Sequence, residues 1–216
     1  IDSSYPAAYY ERGNSFHKLG RLTEALKDFD NTIRIKPDFY EAYNNRGNAL
    51  RQLGKIEQSL KDFDQAIKIN QGFDQAHYNR GIALQNLGRQ NEAIQAYDKA
   101  IQLNTSFPEA YNNRGASLRK VGKVQEAIES FDRAILLKPD YAAAYNNRAA
   151  GLESIGRSED SISSAEKAIQ LKPDYAEAYS NRGAALKSMG RVEDAIESYN
   201  KSIQLRPNSY ATYYNR

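Results

Sequence analysis

Asn45, Asn79, Asn113, Asn147, Asn181 and Asn215 follow one another at intervals of 34 residues. A primary amide carries two N–H donors and an acceptor on one short side chain, so a row of them can engage the C=O and N–H of an extended peptide without reading its side chains. Asn44, Asn112 and Asn146 add a second amide one residue earlier. Arg51, Arg119 and Lys187, with His17, Lys18 and Lys120, place positive charge in the same rhythm, interrupted by Gln85, Asn86, Glu153 and Ser154. Exposed charges of this kind steer an acidic or hydroxyl-bearing ligand more than they hold it. Both groups also have a plainer use, local capping for the amides and solubility for the charges.

Catalysis has less to work with. His17 and His77 are the two histidines, and His77 stands where every other period has Tyr, which marks it as a packing residue. A metal site needs several convergent ligands, and no phosphate loop, nucleophile elbow or HExxH run is present, so no catalytic residue, metal or cofactor is expected. The absence of Cys excludes disulfides and thiolate sites but leaves the compartment open, with the cytoplasm as the default. A net charge of +3 without a long basic run argues against nucleic acid as a partner. No apolar run approaches the roughly 18 residues that membrane insertion requires. Asp and Glu alternate with Lys along the helices predicted below, the pattern of an exposed face.

The elements that must hold these residues repeat with them. Gly20, Gly54, Gly88, Gly122, Gly156 and Gly190 share the 34-residue offset, and a period in that range signals stacked supersecondary units. Within Tyr40 to Phe73, Ala42, Tyr43, Gly47, Leu50 and Leu53 fall at helical spacing, and Leu60, Phe63, Ala66 and Ile67 do so again after Gly54. Each period therefore predicts two short amphipathic helices. The glycine suits a left-handed C-cap, and Pro37, Pro139, Pro173 and Pro207 close the second helix of their units.

With Pro6 as position 1, Tyr43, Gly47, Ser59, Phe63, Ala66 and Gln71 fill the slots where tetratricopeptide repeats carry a large aromatic, Gly, Ala, an aromatic, Ala and Pro. Tyr111, Gly115, Ala127, Phe131, Ala134 and Pro139 match more closely still. Over its whole length the chain resembles that family. The resemblance implies an all-α fold, antiparallel helix pairs stacked into a right-handed superhelical solenoid whose first helices line a concave groove. The expected division is residues 6–39, 40–73, 74–107, 108–141, 142–175 and 176–209 as six repeats, with 1–5 the tail of a preceding repeat and 210–216 the start of a seventh. With no polar capping helix at either end, the chain reads as a piece of a longer protein.

Helical phase then sorts the first helix of each repeat. Positions 3, 4, 8, 11 and 14 form the apolar stripe, while positions 2, 6, 9 and 13 face away from it, which exposes the position-6 amides with no packing need in common. The amide row is similar to the asparagine ladder of the O-linked N-acetylglucosamine transferases, which hold extended polypeptide substrates. The two-carboxylate clamp of chaperone-binding tetratricopeptide proteins has no matching window here. Arg12, Arg46, Arg80, Arg114, Arg148, Arg182 and Arg216 occupy position 7 on the core side, and Asp30, Asp64, Asp98, Asp132 and Glu166 recur at position 25, so pairing between helices is expected. The fifth repeat, with Ala149 for Gly, Ala165 for the aromatic and a serine-rich second helix, should bury less apolar surface and act as a soft hinge.

These readings converge on a non-enzymatic scaffold that binds a protein or peptide in extended conformation through the amide row. Two alternatives share the same residues: the substrate-recruiting part of a larger glycosyltransferase, and a module that self-associates through its uncapped ends.

Overall fold

A computed structural model describes residues 5–206 and forms twelve α-helices among them, with no strand. The chain divides into two compact units, residues 1–105 and 106–216. The first holds α1 (Pro6–Lys18), α2 (Leu22–Ile35), α3 (Tyr40–Gln52), α4 (Ile56–Ile69), α5 (Asp74–Asn86) and α6 (Gln90–Leu103). The second holds α7 (Pro108–Lys120), α8 (Val124–Leu137), α9 (Ala142–Ser154), α10 (Ser158–Leu171), α11 (Ala176–Ser188) and α12 (Val192–Leu205). Within each unit every odd-numbered helix packs on the even one after it, and each hairpin stacks on the next through both kinds of helix.

None of the twelve helices has a side-chain N-cap bond, and at 13 or 14 residues each is too short to persist alone in water. Packing holds them. Gly47 lies so close to Phe63 that a Cβ there would stand 2.7 Å from the ring, and the same intimacy joins Gly81 to Tyr97 and Gly183 to Tyr199. These aromatics are fully or almost fully buried, as are the alanines at position 3 of the odd helices, Ala42, Ala76, Ala110, Ala144 and Ala178. Small residues let the helices approach, and one large ring per hairpin fills the space between them. Neighbouring hairpins join this packing, with Leu60 of α4 against the core of the third hairpin and Ile162 of α10 against that of the sixth.

The turns follow their sequence signals. Gly54 adopts φ +76°, and its N–H donates to the Arg51 carbonyl while that of Lys55 donates to Leu50, which closes α3 with a Schellman motif. Pro37, Pro139 and Pro173 sit inside turns closed by Phe39, Tyr141 and Tyr175 N–H groups, each bonding three residues back at 3.1 Å. Pro207 lies outside the described residues, as do Asn215 and Arg216.

The apolar stripe needs one correction. Position 14 does not belong to it: Leu19, Leu53, Ile155 and Met189 are exposed, Leu19 by 70%. They are the C-cap residues of their helices, where the chain leaves helical phase just before the glycine, so the 3.6-residue rotation no longer carries them inward. Position 10 takes their place, with Ala49, Ala83, Ser117 and Ala185 fully buried.

Candidate functional site

The odd helices of each unit stand side by side, which brings position 6 of one against position 5 of the helix before it. In the first unit Asn45 of α3 donates from Nδ2 to Tyr10 Oη at 2.9 Å and to Asn14 Oδ1 at 2.8 Å, both on α1. Its Oδ1 accepts from Asn44 at 3.1 Å. Asn79 of α5 donates to Asn44 Oδ1 at 2.9 Å and accepts from Gln75 at 3.4 Å. The second unit repeats the motif, with Asn147 donating to Asn112 Oδ1 at 2.9 Å and Asn181 to Asn146 Oδ1 at 2.8 Å. Asn113 accepts from Asn112 at 3.3 Å.

These bonds revise the expectation of freely exposed amides. Asn44, Asn79, Asn112 and Asn146 are buried, and Asn45, Asn113, Asn147 and Asn181 are half-buried. The shared packing need is the seam between consecutive odd helices, where a buried amide must be paired. Asn45, Asn79, Asn147 and Asn181 each pin their helix to the odd helix before it. Residual capacity differs along the chain: Asn45 commits both N–H groups, whereas Asn147 donates a single bond and no described residue bonds its Oδ1. Asn181 donates from Nδ2 to both the Oδ1 and the backbone carbonyl of Asn146, and no described residue bonds its Oδ1.

The charged residues of the same face separate into two kinds. Arg119 and Lys187 are exposed, with Lys18 and Lys120, while Arg51 and His17 are half-buried. Burial, and then the charge of Arg51, push the His17 pKa down. Gln85 accepts from Tyr97 Oη at 3.0 Å, and Glu153 accepts from Ser188 Oγ at 2.5 Å, so the interruptions in the basic row serve the packing. His77 is a packing residue as expected: it is buried, and its Nε2 lies 3.1 Å from the Gln71 carbonyl. Tyr179, in the same slot, reaches the Pro173 carbonyl at 3.3 Å. Burial lowers the His77 pKa.

The position-7 arginines point to the opposite side of the odd helices and are absorbed by structure. Arg46 bonds Asp30 of the preceding hairpin at 2.7 Å and grips Asp62 of its own through Nε at 2.8 Å and Nη2 at 2.6 Å. Arg80 takes Asp64 and Arg148 takes Asp132, again from the preceding hairpin. The anticipated pairing with position 25 is present for Asp30, Asp64 and Asp132, made across hairpins, while Arg182 bonds Ser198 and not Glu166. Position 23 was not anticipated: Asp28 and Asp62 there are replaced by Ser130, Ser164 and Ser198, which hold Arg114, Arg148 and Arg182 at 2.6 to 3.0 Å. Asp or Ser stands sixteen residues after Arg12, Arg46, Arg114, Arg148 and Arg182, with Ala96 after Arg80, and that recurrence was the available signal.

Asn14 and Asn48, at position 9 of the first two repeats, also went unremarked as participants. Asn14 receives Asn45, and Asn48 lies one helical turn before Arg51. Among the described residues no three of His, Asp or Glu converge as a metal ion would require, and no helix is long and apolar enough to cross a membrane.

A family model described as TPR repeat matches residues 13–50, 47–88, 86–122 and 152–190, and one described as tetratricopeptide repeat matches 108–141 and 176–209. No curated protein matches the chain. Among solved structures, the MamA protein is 26% identical, over 78% of this chain and 92% of its own, with a TM-score of 0.70. YrrB, described as a TPR protein with an unusual peptide-binding site, is 21% identical over 86% and 96%, with a TM-score of 0.72. PilF of Pseudomonas aeruginosa is 17% identical over 97% and 95%, with a TM-score of 0.84. At those last two identities the likeness is one of fold.

Proposed function

Since the chain belongs to the tetratricopeptide repeat family, we propose that it is a non-catalytic scaffold that binds an extended polypeptide segment along its odd helices. The observation that carries this reading is the residual valence of the amide row. Asn45, Asn79, Asn147 and Asn181 are fixed in place by the bonds they donate to the preceding odd helix, which leaves an N–H and the Oδ1 of Asn147 and the Oδ1 of Asn181 to an outside partner. A preorganised amide loses little rotamer entropy on binding. A peptide backbone offers N–H and C=O in alternation, which is what a fixed amide engages. Asn45, Asn79 and Asn113, with Asn44, Asn112 and Asn146 behind them, orient the row, and Arg51, Arg119 and Lys187 bias it toward acidic segments. The fold shared with YrrB, a protein described by its peptide-binding site, supports the same class of ligand.

Panning a library of unstructured peptides against the protein tests the reading, with a variant carrying Asn147→Ala and Asn181→Ala run in parallel. Peptides held by the parent and lost by the variant, with an unchanged helical circular dichroism spectrum, support it. Equal retention by both would move the binding site off the amide row.

A further inference from the structure

Three polar atoms on the first two odd helices are shielded from solvent and have no hydrogen-bond partner: His17 Nε2 on α1, and Asn48 Oδ1 and Arg51 Nε on α3. Asn48 and Arg51 are one helical turn apart, and α1 packs on α3. Half of the orphaned side-chain atoms among the described residues thus gather at one place. Orphaned buried polar atoms are scarce in proteins, and a cluster of them marks a site that is completed by something else.

Arg51 differs from three other arginines of the odd helices. Arg46, Arg80 and Arg148 are also half-buried, and each holds a carboxylate of this chain at 2.6 to 2.7 Å. Arg51 bonds no described carboxylate, and its neighbour at the site is His17, whose charged form burial and then the Arg51 charge disfavour. A partly desolvated guanidinium without a counter-charge is unfavourable, and an anion there relieves it.

We propose that His17, Asn48 and Arg51 form a subsite for one Asp or Glu side chain of the extended polypeptide, an assignment that rests on the peptide-binding reading above. The donors Arg51 Nε–H and His17 Nε2–H face the carboxylate, and Asn48 Oδ1 accepts the backbone N–H of the same residue, so each orphan meets a group of the opposite kind. The first unit, whose Asn45 has spent both N–H groups, thereby supplies side-chain selectivity.

Two end-blocked Gly/Ser peptides, identical except for a central Glu or Gln, are titrated into isotopically labelled protein and followed by NMR. The expected result is binding about fivefold to tenfold tighter for the Glu peptide, with the His17 ring and Arg51 Nε–H resonances shifting for that peptide alone. In Arg51→Gln the preference disappears. A preference that survives Arg51→Gln overturns the assignment. Equal binding of both peptides, with the Asn147 and Asn181 amides shifting, overturns the acid subsite and leaves the backbone reading intact. Binding of neither overturns both. As a check on folding, Arg51→Gln should melt no lower than the parent, because it removes an unpartnered group; a marked fall would reveal a structural partner and contradict the proposal.

Discussion

Arg46 and Arg182 occupy equivalent places on α3 and α11 and differ in what faces them. Arg46 is neutralised by Asp30 and Asp62, and these bonds push its pKa up, although burial opposes ionisation of Asp62 within the same pair. Arg182 has the Ser198 hydroxyl at 3.0 Å. Removing the cation from the first pair leaves Asp62 buried and unmatched, so Arg46→Gln should cost about 2–3 kcal/mol in a denaturant titration. Ser198→Asp copies the Asp62 arrangement opposite Arg182 and should add about 1 kcal/mol by the same measurement. His77 and His17 have folded-state pKa values below their ordinary value, burial being the first cause in both. The unfolded chain then binds more protons, and this stability, fully present above the ordinary histidine range, is lost as pH falls through it. Thermal melts should show a shallow decline between about pH 7 and pH 5, reduced in His77→Tyr, which restores the residue of the other hairpins. The existence of the Arg–Asp pairing was legible in the 34-residue recurrence of both residues. Its partition between hairpins was not, because helical phase says which face a residue occupies and not which neighbouring helix lies opposite.

Among the elements, the fifth hairpin solves the packing problem differently. The other hairpins with an aromatic at position 24 pair it with a glycine at position 8, as Gly115 is paired with Phe131, where a Cβ would come within 2.6 Å of the ring. In the fifth the ring has shrunk to Ala165 and the glycine has grown to Ala149, both fully buried, and Ser161 Oγ donates to the Ala149 carbonyl at 2.9 Å. The two changes compensate in shape, but the ring's apolar surface is gone. Ala165→Phe alone should destabilise by about 1–3 kcal/mol through overpacking against Ala149. Combined with Ala149→Gly it should stabilise, giving a coupling above about 1 kcal/mol in a double-mutant cycle. Hydrogen exchange in α9 and α10 should run faster than in α3 and α4. The helices, their glycine turns and the small-residue faces were all readable from periodicity. Position 14 was misread because a C-cap residue keeps its apolar type without keeping helical phase. The amide seam escaped notice because its partners lie 35 residues apart, one more than the period, so comparison at a fixed offset compares equivalent residues and never shows who touches whom.

At the scale of the whole chain, a repeat array sums local stabilities and nearest-neighbour interfaces, and its binding surface is likewise a sum of small, equivalent contributions. On the proposed reading each amide is individually dispensable and the row collectively decisive. The second unit carries Asn147 and Asn181, the amides with spare valence, and the first carries the orphaned atoms of His17, Asn48 and Arg51. The most direct measurement of the central claim follows the side-chain Nδ2 resonances of labelled protein as an unstructured peptide selected by panning is added. The account predicts saturable shifts at Asn147 and Asn181, larger at Asn147 than at Asn45, whose N–H groups are already committed. Saturable binding that leaves the Asn147 and Asn181 amides unmoved while residues of the even-numbered helices shift would contradict it.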